Sequence, residues 1–457
     1  MSVENTPDSS STPDEAVKVV KFGGSSLASA SQITKARDIV AADPARRFIV
    51  PSAPGKRCAE DRKITDLLYL CHESAGQGVA FDEAFGIIET RFREIVADLG
   101  VSSLDIDALL GEVKNGIAEN AQAGRGPDYA ASRGEYLNGR ILAEYLGVAF
   151  VDAAEVIFFT AAGRLDADRT YPALGAKLKE LGRAVVPGFY GSTPDGHVKT
   201  FSRGGSDVTG AIVARAAEAE VYENWTDVSG LLMTDPRVVD SPEPIDTLTY
   251  RELRELSYMG ATVLHPEAVF PVRQAGIPVN IRNTNEPDHP GTRIVGSDTN
   301  QPTRHPITGI AGRKDFTLIH LEKTLMNEVI GYGERVLGVL RRHGVSFEHM
   351  PSGIDTLSLV VADEELEGKL DTVIADIRKD IEPDAIEIDP DLALIATVGR
   401  SMKTKPGHAA TLFGALAKAG VNIRMIDQGS SELNIIVGVN INDFDTALRA
   451  IYAAFVD

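Results

Sequence analysis

Three short stretches of this chain carry residue types that could do chemistry together. The first is Lys18-Val19-Val20-Lys21-Phe22-Gly23-Gly24-Ser25-Ser26, an apolar run closed by two glycines and two serines. Adjacent glycines let a backbone approach a phosphate closely, and free N–H groups at a helix start favour an anion. Lys21 stands at the end of the run, where its ammonium can reach the same anion. An ordinary glycine turn is the alternative. The second stretch is Arg203-Gly204-Gly205-Ser206-Asp207. A guanidinium grips a carboxylate or phosphate with two parallel hydrogen bonds. Asp207 could hold a lysine or a metal, or cap the helix that follows. The third is Trp225-Thr226-Asp227-Val228-Ser229-Gly230 with Thr234-Asp235-Pro236-Arg237. Polar loops after strands suit a nucleotide, and they equally suit surface turns. Neither a Walker A loop nor a dinucleotide fingerprint is present. Gly55-Lys56 lacks the first glycine and the hydroxyl, and Gly331 with Gly333 lacks the third glycine.

These stretches need elements to position them. Val17 to Phe22 reads as a strand, and Ser31 to Val40 as a helix with Ile33, Ala36, Ile39 and Val40 on one face. Arg47 to Ser52 reads as a second strand, giving a right-handed parallel crossover. Ser52 and Thr65 then flank a loop at a strand's C-terminal end, where α/β folds bind ligands. Residues 64 to 122 are helical by pattern. Ser132-Arg133-Gly134-Glu135 is expected to open a further helix through Tyr145, with Glu135 in its first turn, where the helix dipole tolerates a carboxylate. Simple capping is the other reading of that glutamate. Strands are expected at 149–151 and 184–187, the second ending in the turn Gly188-Phe189-Tyr190-Gly191. A helix over 208–219 and strands over 221–225 and 278–283 follow. His265, before Pro266, reads as structural. Residues 284–306, rich in Pro, Asn, Asp and Gly, read as a domain boundary.

At 457 residues the chain has room for two or three domains. With 43% hydrophobic residues it reads as globular. A formal charge of −20 argues against nonspecific nucleic-acid or anionic-membrane binding, but not against an anionic substrate. Two cysteines, Cys58 and Cys71, give neither a disulfide framework nor zinc spacing, and suit a reducing cytoplasm. The first sixteen residues resemble neither a signal nor a transit peptide and read as a disordered tail. No apolar run approaches the ~18 residues that span a membrane.

The C-terminal part repeats itself. Leu337-Gly338-Val339-Leu340 through Gly344-Val345-Ser346-Phe347 to Gly353 aligns with Phe413-Gly414-Ala415-Leu416 through Gly420-Val421-Asn422-Ile423 to Gly429 at a constant offset. Each copy reads strand, helix, glycine turn, two strands, helix, close to a ferredoxin-like unit. Two such copies suggest a regulatory module, or duplication for dimer contacts, or both.

Taken together, these motifs resemble the aspartate kinases. The carriers are Lys21 to Ser26, Arg203 to Asp207, Trp225 to Val228, Thr234 to Arg237 and the tandem repeat, which resembles paired ACT domains. The resemblance implies an α/β amino acid kinase fold, a mostly parallel central sheet sandwiched by helices, followed by two ferredoxin-like α+β ACT domains. The expected division is a tail to residue 16, a catalytic domain over 17–300, and ACT domains over 301–390 and 391–457. It also implies transfer of the ATP γ-phosphoryl group to the β-carboxylate of L-aspartate, with Mg2+ carried on ATP.

By the same resemblance, Lys21 and Asp207 are catalytic, Lys21 neutralising the phosphoryl group and Asp207 orienting it. Gly23, Gly24 and Ser25 hold phosphate. Thr226, Asp227, Leu232, Arg237 and Thr262 lie on the nucleotide side. Ser52, Thr65, Glu135, Phe189, Arg203 and Ser206 hold aspartate, with Glu135 on its amino group and Arg203 on a carboxylate. Many relatives have a lysine where this chain has Thr262 and an aromatic residue where it has Leu232, and the loop from Ser52 to Thr65 is unusual. Met326, Gly331, Tyr332, Glu348 and Ser352 match an effector cleft for lysine or threonine. A homodimer or homotetramer in the cytoplasm, without nucleic-acid or membrane partners, completes the expectation. A carboxylate or carbamate kinase of the same fold is a rival, and a catalytically silent amino-acid sensor is another. The pairing of Arg203 with Glu135, which suits a zwitterion, speaks against the first, and an intact Lys21 and Asp207 against the second.

Overall fold

A computed structural model describes residues 16–202, 204–261, 264, 267–297 and 304–456. Two compact units divide them: residues up to 231 with 264–299, and residues 232–263 with those from 300 on. Residues 232–263 therefore sit with the C-terminal unit, although they fall within the span 17–300 expected for one domain.

The first unit begins with β1 (Lys18–Phe22), α1 (Ala30–Ala41) and β2 (Arg46–Pro51). Four long helices follow: α2 (Ile64–Gly76), α3 (Asp82–Leu99), α4 (Ile106–Gln122) and α5 (Asp128–Leu146). Next come β3 (Ala149–Phe150), the one-turn α6 (Ala153–Val156), α7 (Ala167–Leu181), β4 (Ala184–Val185), the hairpin β5 (Tyr190–Ser192) and β6 (Val198–Thr200), α8 (Gly205–Ala216) and β7 (Val221–Thr226). The second unit holds β8 (Thr247–Thr249) and α9 (Tyr250–Tyr258); the chain then returns to the first with α10 (Phe270–Ala275), β9 (Val279–Asn283) and β10 (Thr292–Val295).

Within the first unit the strand order is β3-β4-β2-β1-β7-β9-β10. Every pairing is parallel except β9 with β10. Central parallel strands are buried on both faces and need apolar side chains on both. Val19, Val20 and Phe22 of β1 accordingly lie in the core. Parallel strands also send all their C-terminal ends to one edge. Phe22, Pro51, Val185 and Thr226 therefore deliver the loops after β1, β2, β4 and β7 together, the usual ligand edge of such sheets.

Two expectations change here. The helix carrying Glu135 opens at Asp128, about one turn earlier than Ser132, so Glu135 lies inside α5 and not in its first turn. Its capping reading lapses with that. The stretch 284–306, expected to be a plain boundary, contains β10, paired antiparallel with β9.

In the second unit the repeats share one sheet, ordered β12-β11-β13-β15-β14. Its elements are β11 (Gly309–Glu322), α11 (Tyr332–Arg342), β12 (Thr356–Ala362), α12 (Asp363–Leu366), α13 (Leu370–Ile381), β13 (Ala385–Val398), α14 (His408–Lys418), β14 (Ile423–Asp427), β15 (Asn434–Asn440) and α15 (Phe444–Val456). β11 and β13 are long and divided in allegiance. Phe316 to Glu322 pairs with β12 and with the start of β13, while Gly309 to Arg313 pairs with the end of β13. β15 also pairs with that end. The second repeat thus takes the strand Gly309–Arg313 from chain before it, and the boundary expected at 390/391 falls within continuous β13. Buried Glu252 of α9 accepts from the Thr249 N–H and hydroxyl, the Thr308 hydroxyl and the Arg400 N–H, which fastens α9 to the residue before β11 and to the segment just after β13. Among the described residues, no helix is long and apolar enough to cross a membrane.

Candidate active site

Lys21 ends up buried on the face of β1 that meets α8, beside Asn224 of β7 in register. Its Nζ lies 2.7 Å from Asp207 Oδ1 and donates to Asn224 Oδ1 at 3.3 Å. Asn224 Nδ2 donates in turn to Asp207 Oδ1 at 2.8 Å. A buried ammonium needs a counter-charge to stay ionised. Asp207 supplies it, so the lysine option for Asp207 holds. The capping option fails, because the cap of α8 is Gly204 and it makes no side-chain bond.

The glycine turn leaves β1 with Gly23 N donating to Trp225 O at 2.9 Å. Gly24 O accepts from Gly55 N at 2.8 Å, where the loop after β2 crosses the turn. A Cβ on Gly55 would lie 2.6 Å from the Gly24 carbonyl carbon, so only glycine permits this crossing. Below the edge, Trp225 is a fully buried anchor. Its indole N–H donates to Glu223 at 2.9 Å, its ring lies under the Arg46 and Arg282 guanidinium groups, and Arg46 closes a buried ion pair with Glu223 at 2.8 Å.

Glu135 is 6% exposed. The Ala53 N–H and the Ser206 hydroxyl reach its carboxylate, yet burial outweighs them and pushes its pKa up to about 8. Its Oε2 has no hydrogen-bond partner among the described residues. One helical turn on, Asn138 donates from Nδ2 to Ser52 O at 2.7 Å and so holds the loop after β2. Phe189 takes a positive φ of 82°, unusual for a residue with a side chain. Thr209 Oγ1 fixes it by accepting from its N–H at 3.0 Å. Its ring lies against Gly205, where a Cβ would come within 2.2 Å.

The expected residues therefore form clusters. Lys21 joins Asp207, Glu135 joins Ser206, and Phe189 covers the start of the helix that carries Ser206 and Asp207. Ser52 and Gly23 to Ser25 lie on the loops at the same sheet edge. Thr65 lies in the first turn of α2. Thr226 ends β7, and its hydroxyl donates to Asp227 at 3.1 Å. Arg203, Thr262 and His265 lie outside the described residues, as does the tail through residue 15. In the second unit Leu232 is exposed, and exposed Arg237 is tied to Asp235 at 2.6 Å.

The effector set divides. Met326 and Tyr332 are buried in the core of the first repeat, although the Tyr332 hydroxyl has no partner among the described residues. Gly331, at φ 77°, caps α11. Ser352 bridges to Leu357, whereas Glu348 bonds opposite Val360, three residues farther along β12, and faces Arg313 at 3.6 Å. The motif reading missed Asn224 and Asn138. A polar residue inside the otherwise buried β7 was the available signal for the first; Asn138 carried none beyond its spacing from Glu135.

The amino acid kinase family model matches residues 16–283, and an ACT domain model matches 395–455. Aspartokinase 3 of Bacillus subtilis is 40% identical, over 96% of this chain and 98% of that protein. The chain belongs to the aspartokinases of the amino acid kinase family. A solved aspartate kinase of Clostridium acetobutylicum, described as an allosteric enzyme, superposes with a TM-score of 0.91 at 53% identity, covering 96% of this chain and all of that one. Aspartokinase III of Escherichia coli, at 28% identity, superposes with a TM-score of 0.71 in its complex with aspartate and ADP, over 96% of this chain and 99% of that one. In its complex with lysine and aspartate the TM-score is 0.74, over 96% and 100%. This aspartokinase thus shares its fold along nearly its whole length with those enzymes.

Proposed function

We propose that this aspartokinase transfers the γ-phosphoryl group of ATP to the β-carboxylate of L-aspartate, giving 4-phospho-L-aspartate and ADP. The observation that carries the reading is Glu135, a buried carboxylate with one unpartnered oxygen beside the helix start that presents Ser206 and Asp207. An ammonium placed against that oxygen would offset the burial and favour the ionised carboxylate, and the substrate carries one.

A carboxylate nucleophile with a pKa of ~4 is already ionised near neutral pH and needs no general base. What the reaction needs is alignment of two anions and neutralisation of their charge. In this reading Lys21, held by Asp207 and Asn224, lies against the transferring phosphoryl group. Gly23, Gly24 and Ser25 receive phosphate oxygens. Glu135 takes the ammonium, Ser52, Thr65, Phe189 and Ser206 shape the pocket, and Arg203 grips a carboxylate. Thr226 and Asp227 serve the nucleotide, with Leu232, Arg237 and Thr262 proposed as further contacts. In this reading Mg2+ enters with the substrate as MgATP.

The tandem repeats support control by an amino acid. Lysine bound to the Escherichia coli relative makes lysine the first effector to try, threonine the second. A homodimer or homotetramer is part of the same reading. Two free cysteines fit a cytoplasmic enzyme. The test is ATP-dependent acyl-phosphate formation, trapped as a hydroxamate, on aspartate and glutamate with and without lysine and threonine. Aspartate-specific product supports the reading; product from glutamate alone, or none, overturns it.

A further inference from the structure

Helix α3 has no part in the reaction as described, yet one of its side chains joins the loop over 53–63 to the glycine turn. Arg91 of α3 is 5% exposed. Its Nη2 donates to Ala28 O, just beyond the glycine turn, and to Gly55 O, both at 2.7 Å. Its Nη1 donates to Asp61 Oδ2 at 2.6 Å. Asp61 is held again by the Arg57 backbone N–H and Nε, each at 2.9 Å, and Arg57 Nη1 reaches Glu94 of α3 at 2.9 Å. The carbonyls that Arg91 bridges belong to the two segments that cross at Gly24 and Gly55. One leads from the phosphate-side turn, the other runs from Ser52 towards Thr65.

We propose that Arg91 is a positioning residue for phosphoryl transfer, its guanidinium fixing the phosphate-side turn against the aspartate-side loop through the carbonyls of Ala28 and Gly55. The inference rests on the assignment of those two segments to the two substrates. A planar fork with several donors can hold two converging carbonyls and a carboxylate at once, which a lysine's single nitrogen cannot do with the same geometry. Arg91 sits behind both segments and each half-site keeps its own contacts without it. What its loss changes is their separation, and in-line transfer is sensitive to that: about 1 Å of misplacement can cost about 100-fold.

The test compares Arg91→Met, Arg91→Lys and Lys21→Ala in the full chain, reading kcat per folded molecule, KM for each substrate, and the melting temperature. Arg91→Met is expected to lower kcat about 10- to 100-fold with both KM values within about threefold of the parent. Arg91→Lys is expected to recover part of that loss. Parental kcat per folded molecule in Arg91→Met, with only a lower melting temperature, would mean the side chain is structural and would overturn the inference. If Arg91→Met does not fold, Gly55→Ala probes the same crossing from the other side. Its Cβ must push Gly24 and Gly55 apart, and it should show the same fall in kcat at steady KM; unchanged kcat there overturns the inference too. Lys21→Ala keeps the two readings apart. If it stays active, the phosphate-side assignment fails and the inference falls with it. If it is inactive while Arg91→Met keeps its kcat, only the inference falls.

Discussion

Lys21 and Glu135 show how burial sets what a charged side chain can do. Lys21 is buried and held by Asp207 and Asn224, which fixes its side chain where the proposed reaction would develop phosphate charge. Lys21→Ala should cut kcat about 100- to 1000-fold, as expected for loss of a preorganised electrostatic contact. Steady-state kinetics beside a thermal melt will separate this from unfolding, since Asn224 still bonds Asp207. Glu135 is the opposite case, a carboxyl that burial keeps neutral up to about pH 8 in the free enzyme. Aspartate's ammonium needs the ionised form. Apparent KM for aspartate should therefore fall as pH rises towards about 8 and level off above it. Glu135→Gln should weaken aspartate binding and flatten that profile. The stability sign follows from linkage. A carboxyl raised from 4.5 to about 8 contributes stability that is complete below pH 4.5 and is lost as pH rises through about 8. Melting temperatures of the free enzyme and Glu135→Gln at either end of that window will report it.

Elements were legible where their period was long or their punctuation strong. Val19, Val20 and Phe22 followed by Gly23-Gly24 read correctly as strand and turn because a central strand is apolar on both faces. The start of α5 did not, because Ser132-Arg133-Gly134 imitates a helix opening while the true one lies at Asp128 behind Pro127. The strands β5 and β6 are too short to show a period. Arg91 has no sequence signal of its own, since its acceptors, Ala28 O, Gly55 O and Asp61, lie far away in sequence. The start of α8 is fixed by a contact equally invisible in sequence, the Phe189 ring against Gly205. Gly205→Ala would place a methyl group 2.2 Å from that ring and displace Phe189 from a backbone conformation that already costs about 1–3 kcal/mol. Aspartate KM should rise about tenfold while ATP KM holds, which saturation curves for each substrate will check.

Across the molecule, the repeat was visible in sequence but its interlock was not, because a constant offset shows likeness and not pairing. β11 gives its first half to the second repeat and its second half to the first. The fragment 391–457 should therefore fail to fold alone, lacking the strand Gly309–Arg313, whereas 304–457 should fold. Circular dichroism and dispersed amide NMR signals will tell them apart; a folded 391–457 would show that the shared strand is dispensable. A division of the chain into two freestanding ACT domains cuts through β13 in any case.

The split strand also puts a schedule on synthesis. The segment with Ile310 and Ala311 leaves the ribosome before the whole first repeat, and its partner at the end of β13 leaves only after it. Both side chains are buried in the finished sheet, so in the nascent chain they wait on an open edge. Open apolar edges recruit neighbouring chains, and pairings across a long intervening segment form slowly. On a crowded polysome, this ribbon goes without its partner strand for as long as one repeat takes to be translated.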